Sequence, residues 1–307
     1  MVLNKLKNIL NQDSNNYLNK MDKEIAQIRI NQGKAFSDFN LLFKQEQILK
    51  DISKAEFQVF SQWGDDGIIN FLVNYLEIKE KTFIEFGVEN YTECNTRFLL
   101  INDNWSGLII DGSKENIDSV KKENIYWKYD LKAIASFVTA ENIDQIITDN
   151  GIAGQIGILH IDIDGNDYWV WKSIKTVDPI IVIVEYNSIF GYENPWTIPY
   201  DAAFVRGEKH YSNLYYGTSL LSLCDLAQAK GYSFIGCNSN GNNAYFVKND
   251  QLNKLRTYTS KEGYVQSKFA ESRDQKGKLT YLRNEKRISL LKGLPVFNTR
   301  TNNVEFL

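Results

Sequence analysis

Two histidines and three cysteines in 307 residues leave few of the side chains that announce metal or thiol chemistry. Cys94, Cys224 and Cys237 are scattered and odd in number, which argues against a disulfide framework and for reduced thiols in a cytoplasmic setting. No CxxC or HExxH spacing occurs, so a structural zinc site is not expected. A basic excess is also missing: 35 Lys and Arg stand against 38 Asp and Glu, a net charge of -3, with no field to recruit nucleic acid. No apolar run is long enough to span a membrane. The first ten residues carry two lysines and too short an apolar stretch, followed by Asn11, Gln12 and Asp13, so they do not read as a signal peptide.

What is present is ordinary globular composition, 43% hydrophobic and 24% charged. That fits one α/β domain of roughly 200 residues with additions at its ends. Residues 1–56 are polar, with apolar positions at helical spacing (Leu3, Leu6, Leu10, Leu18, Met21, Ile25, Ile28). They read as a helical extension serving as an appendage or a homo-oligomer contact, or else as a loosely packed arm. Residues 57–250 alternate apolar runs with helical patterns, interrupted by a long insert, 188–217. Residues 251–307 are charged and without clear pattern, a C-terminal extension expected to wrap the domain.

The most informative stretch is Ile156–Asp167, where an apolar run turns into carboxylates. It reads as a buried parallel strand whose carboxyl end opens into a polar crevice, the place where open α/β sheets bind ligands. A second such strand, Ile180–Val184, ends in Glu185, Tyr186 and Asn187. Earlier strands are expected at Thr82–Gly87, Gly107–Gly112 and around Leu131–Val138. Asp65 or Asp66 should cap a helix over Gly67–Leu76, Asn95–Ile101 should form a second, Ser113 should cap a third, and Thr139 the helix Glu141–Thr148. A helix over 218–230, stopped by Gly231, precedes a hairpin of Tyr232–Cys237 and Asn243–Lys248 around Asn240 and Gly241. The expected fold is therefore a Rossmann-like, mostly parallel seven-stranded sheet closed by a C-terminal antiparallel hairpin.

Six groups of residues could carry chemistry. Gly87, in the Glu85–Asn90 loop, permits a tight turn and a close ligand approach. Asp111 lies 24 positions further on, at the end of the second strand, where a carboxylate would accept from ribose hydroxyls. Phe137, Val138 and Thr139 would flank an adenine. Asp162 and Asp164, on one face of a strand by alternation, would repel unless a cation or donors neutralise them. With Glu185 and Asn187 they form an oxygen-rich set that suits magnesium, or else a turn and capping cluster without metal. Asp164 and Glu185 are candidates for metal ligation or for a general base. His160 reads as a hydrogen-bonded core group, and His210, in the insert, as a base reaching over the site or as an ordinary loop histidine. The insert's many aromatic rings would suit a sugar or other ring-bearing acceptor, or pack it onto the sheet.

Several motifs together resemble the FkbM-type methyltransferase-like proteins: Phe60–Gly67 (Phe-Ser-Gln-Trp-Gly-Asp-Asp-Gly), Phe83–Val88 with Glu93–Thr96, Trp105–Asp111, His160–Trp169, Val184–Asn187 and Tyr216–Leu220. The resemblance runs from about residue 57 to residue 250. It implies a fold that binds S-adenosylmethionine and methylates a hydroxyl of a glycan or small metabolite. Cofactor-facing positions would then be Gln62, Glu85, Gly87, Asn90, Asp111, Gly112, Thr139 and Asp162. Two other readings stay open: a non-catalytic module binding a nucleotide or glycan, and a metal-dependent hydrolase using the acidic cluster.

Overall fold

The computed structural model describes residues 2–307; the side chains of residues 2–16, Leu18, Asn19 and Asp22 lie outside the description. The expectations resting on Leu3, Leu6, Leu10 and Leu18 fall among those undescribed side chains. The N-terminal extension is helical, as expected: one long helix, α1 (Val2–Phe39), is followed by the short helices Gln45–Ile48 and Ile52–Ala55. The end of α1 runs into a π-helical turn, Asn40–Lys44.

Ten strands follow: β1 (Thr82–Phe86), β2 (Ser106–Asp111), β3 (Leu131–Ala135), β4 (Gly154–Ile161), β5 (Val177–Glu185), β6 (Trp196–Thr197), β7 (Tyr232–Cys237), β8 (Asn243–Lys248), β9 (Pro295–Asn298) and β10 (Asn303–Phe306). Seven make one sheet in the order β3-β2-β1-β4-β5-β8-β7. Only β8 runs against its neighbours, pairing antiparallel with both β5 and β7. This is the Rossmann-like, hairpin-closed sheet that the strand pattern predicts. The strand order reverses between β1 and β4, the switch point at which open sheets form a crevice.

Both faces of the sheet are covered, so its strands are continuous apolar runs. Along β5, Ile181 and Ile183 join one buried cluster, while Val182 and Val184 join the other. Alternation of side chains across a strand is the cause. A third cluster, built from Phe190, Ile198, Phe204, Leu214, Tyr215 and Tyr216 with Leu291 and Val296, lies apart from these. It fastens the 188–217 insert to the C-terminal segment, and β6 of the insert joins β9 and β10 of that segment in a separate antiparallel sheet.

Local capping differs from expectation in two places, one being Thr139, since the helix Ile143–Asp149 has Asn142 as its N-cap and no side-chain cap. Ser113 caps the helix Lys114–Lys122 by accepting from the Asn116 N–H at 3.2 Å. Neither Asp65 nor Asp66 caps the helix Asp65–Tyr75, whose N-cap is Gly64. Both carboxylates are buried and turned to other partners. Asp66 Oδ2 accepts from the backbone N–H groups of Val59, Phe60 and Ser61, each at 2.7 Å. Among the described residues, no helix is long and apolar enough to cross a membrane.

Candidate functional site

Two cavities open at the carboxyl ends of β1, β2, β4 and β5. The smaller, about 210 Å³, is lined by Gly87, Asp111, Gly112, Phe137, Val138 and Phe204 among others. The larger, about 460 Å³, lies over β4 and β5. Gly87, Glu89, Asp162 and Asp164 line both, so the two adjoin at the strand-order switch.

Gly87 makes that junction. Its φ is +70°, a conformation that a side chain disfavours. A Cβ there would lie 1.6 Å from the carbonyl oxygen of Asp162. The end of β1 therefore runs directly against the end of β4. Asp111 is buried at the floor of the smaller cavity. Its Oδ2 accepts from the Glu89 N–H and its Oδ1 from the Ser113 N–H, each at 2.8 Å. With Asn116 Nδ2 also donating to Oδ1 at 3.3 Å, these bonds hold the loop after β1 against the end of β2 and leave Oδ2 a free lone pair. Thr139 does not line either cavity; its Oγ1 accepts from the Asn142 N–H at 3.3 Å. Asn90 is likewise absent from the linings and bonds Thr92. Gln62 lines the larger cavity.

Glu85 faces the larger cavity but is wholly engaged. It accepts from the Asn95 N–H at 2.9 Å and the Thr96 N–H at 3.1 Å, and pairs with His160 Nδ1 at 2.9 Å. Burial pushes its carboxyl upward, yet the bond and charge of His160 outweigh it and leave the group below its ordinary range. The converse holds for His160, where burial lowers the imidazole and Glu85 more than restores it. His160 Nε2 meets the Asn95 side-chain amide at 3.0 Å. The histidine thus acts as the buried, hydrogen-bonded group its sequence position suggests.

Asp162, Asp164 and Glu185 each place a carboxylate oxygen within 4.8 Å of the others. Alternation along a strand is not what unites the two aspartates: β4 ends at Ile161, and Asp164 sits in a turn with φ +54°. Burial, then the charge of Asp164, pushes Asp162 up to about 7. Burial and the charges of Asp162 and Asp164 push Glu185 well above the carboxylate range. Glu185 Oε2 is buried without a hydrogen-bond partner. Asp167 is not part of this set; it accepts from the Ile163 and Gly165 N–H groups and fixes the turn.

The counter-charge is Arg206, from the insert. Its Nη1 bonds Asp164, its Nε donates to the Asn213 carbonyl at 2.8 Å, and its guanidinium lies 3.7 Å over the Tyr216 ring. Sequence reasoning did not single it out. The available signal was that clustered carboxylates need a cation, and Arg206 is the insert's sole arginine. Even so, Asp65, Glu85, Glu89, Glu93, Asp162, Asp164, Glu185 and Glu271 face this one arginine around the cleft. The cleft favours a cationic ligand.

A further acceptor comes from β8. Asn243 pairs in register with Glu185, and its Oδ1 is also buried without a partner. Its Nδ2 donates to Asp65 at 3.1 Å. Asp65 also accepts from Asn238 Nδ2 at 3.1 Å and from the Tyr245 hydroxyl. Asn238 is itself fixed, because its Oδ1 accepts from the N–H groups of Gly241, Asn242 and Asn243. With Asp65 demanding donors, Asn243 must turn its oxygen away from it.

Besides Thr139 and Asn90, two more expected site residues are placed elsewhere. Asn187 is not in the carboxylate set: its Nδ2 donates to the Leu214 and Tyr216 carbonyls at 2.9 Å, and its Oδ1 accepts from the Ile189 N–H. It clamps the two ends of the insert. His210 does not line either cavity; its Nδ1 lies 2.7 Å from the Ser212 hydroxyl, and burial lowers it. The insert's rings mostly pack its own core, leaving Phe204 as the one aromatic that it brings to these cavities.

No known family profile matches the chain, and no curated protein matches it. Solved structures are similar to it at low identity. The N-terminal domain of EvdMO1 with SAH bound is 12% identical, with TM-score 0.41 over 66% of this chain and 94% of that one. The O-methyltransferase from Bacillus cereus in complex with SAH is 13% identical, with TM-score 0.39 over 70% and 97%. A putative caffeoyl-CoA O-methyltransferase from Staphylococcus aureus is 14% identical, with TM-score 0.39 over 71% and 99%.

Proposed function

We propose that the chain is an S-adenosylmethionine-dependent O-methyltransferase acting on a hydroxyl of a sugar, glycan or small metabolite. One observation carries the reading: a nucleoside-sized cavity floored by Asp111 opens, at Gly87, onto an acidic cleft at the strand-order switch. S-adenosylmethionine supplies an electrophilic methyl group on a positively charged sulfur. Asp111 Oδ2 would accept from a ribose hydroxyl with its remaining lone pair, and Phe137 and Val138 would flank the adenine. The tight Gly87 turn lets backbone approach the cofactor closely, and the acidic wall, Asp162 included, would favour the sulfonium. His160 and Asn95 keep Glu85 ionised as part of that wall.

The acceptor would lie over β4 and β5, where Trp63 and Phe269 offer ring faces suited to a sugar. Catalysis is then mainly orientation plus removal of one proton. Asp162, which burial raises to about 7, is matched to take that proton near neutral pH, and burial raises the adjoining Glu185 in the same direction. Arg206 bonds Asp164 and orients it. The three carboxylates also fit a hard cation such as magnesium, because Glu185 Oε2 has no donor and the oxygens converge. Asp162, Asp164 and Glu185 would hold it, and when bound it would lower the pKa of the acceptor hydroxyl.

Calorimetric titration with S-adenosylmethionine and S-adenosylhomocysteine, with and without magnesium, tests this. Binding of both, weakened at least tenfold in Asp111→Asn, is the expected result. No heat and no thermal shift with either compound at millimolar concentration would overturn the reading.

A further inference from the structure

The long N-terminal helix has two apolar faces and only one of them is covered. Ile30, Gly33, Ser37 and Asn40 are buried against the body. Ile30 packs with Val59 and Phe98, and a Cβ on Gly33 would meet Val59 at 2.8 Å. Asn40 Nδ2 donates to the Ala55 carbonyl at 2.8 Å, and the Ser37 hydroxyl bonds Asn70. This face fixes how α1 leaves the domain.

On the far side, Met21, Ile25, Ile28 and Phe39 are exposed, Ile25 at 50% and Ile28 at 57%. Their spacing, continued through Gln32 and Ala35, is 4-3-4-3-4. That is the a/d repeat of a coiled coil, with Ile25, Gln32 and Phe39 at a and Met21, Ile28 and Ala35 at d. The seam spans about 28 Å of helix, and the exposed Leu42 and Phe43 extend it past α1. Its flanks carry charge: Glu24 falls at g and Arg29 at e. In a parallel pair, g faces the e position of the following heptad on the other strand, so Glu24 meets Arg29 of a second copy. An antiparallel pair centred on this seam would instead set Arg29 beside Arg29. Gln32 is a polar a residue of the type that fixes register.

We infer that this chain forms a parallel homodimer through residues 21–39 of α1, with a second copy of the same helix as the occupant of the exposed face. The apolar repeat, the complementary Glu24 and Arg29, and the placement of the seam away from the docked face all converge on an identical partner. The two α/β bodies then sit on the outer sides of the shared helix pair, and neither cavity is covered by it. The inference does not depend on the activity proposed above.

Light scattering on the 307-residue chain at 5–50 µM should give twice the 35.4 kDa monomer mass. Ile25→Lys with Ile28→Lys should give monomers whose melting temperature for the α/β body is unchanged, since both residues are exposed. Glu24→Lys alone and Arg29→Glu alone should each weaken the dimer at least fivefold. Mixing the two variants should restore it, because each mixed pair carries one attractive contact on each flank. A monomeric wild type at 50 µM, a dimer that survives the double lysine variant, or a mixture no tighter than its parents would each overturn the inference.

Discussion

Replacing Gly87 with alanine should damage both cavities at once. The added Cβ would lie 1.6 Å from the Asp162 carbonyl oxygen. A carbon and an oxygen tolerate no less than roughly 3.2 Å, so β1 and β4 would have to part by about 1.6 Å at their ends. Alanine at φ +70° costs roughly 1–2 kcal/mol, and overpacking of this kind costs about 1–3 kcal/mol more. The combined loss is about 4 kcal/mol, or roughly 6 °C in Tm for a chain of this length. Gly154 supplies the control: its φ is +73°, but nothing lies within 4 Å of a Cβ built on it. Gly154→Ala should therefore show only the conformational cost of about 1–2 kcal/mol. Thermal unfolding of both variants and calorimetry with S-adenosylmethionine are the assays. Gly87→Ala should lose cofactor binding by tenfold or more while Gly154→Ala keeps it. Equal melting temperatures for the two variants, or an unchanged affinity in Gly87→Ala, would refute the contact between the strand ends.

Three further outcomes are expected. Burial raises Asp66 to about 6 despite its backbone hydrogen bonds, so the folded chain holds a proton there that the unfolded chain releases near pH 4. Stability from this group is full at low pH and falls as pH rises through that window; relative to Asp66→Asn, the wild type should lose about 3 kcal/mol between pH 4 and 7 in urea titrations. Flat differences across that range would contradict the assignment. Arg206→Met removes the cation beside three carboxylates, and calorimetry should find magnesium binding about tenfold tighter than in the wild type; weaker binding would show that the arginine is not the competing charge. Asn187→Ala strands two buried carbonyls and one N–H, at about 2–4 kcal/mol, and limited proteolysis should cut first within 188–217; an unchanged cleavage pattern would mean that Asn187 does not hold the insert.

The sheet was legible because burial on both faces forces long apolar strands, and β4 and β5 announce themselves by Ile and Val runs ending in carboxylates. Asp111 and Gly87 were legible through their spacing. The acidic set was legible in composition but not in geometry, since Asp164 joins through a turn and not through strand alternation. Asp65 and Asp66 sat where helix caps belong, yet their partners lie in the preceding loop and in β8, over 170 residues away for Asp65. Position alone cannot reveal such pairing. The second sheet was illegible for a related reason: β6 has two residues, and its partner β9 lies about a hundred residues downstream. Asn187 and His210 looked like chemistry because of their side chains; the structure spends the first on holding the insert and keeps the second away from the cavities.

The cross-strand pair of Glu185 and Asn243 gives the cleft a direction. Two buried oxygens face it, and the network through Asp65 and Asn238 forbids the amide from reversing to cure the mismatch. Every remedy brings positive character inward: a proton on Glu185, a metal ion, or the polar hydrogen of an arriving molecule. A ligand that presents only lone pairs there would add a third acceptor to two. The cleft can therefore sort molecules by what they donate before shape is consulted.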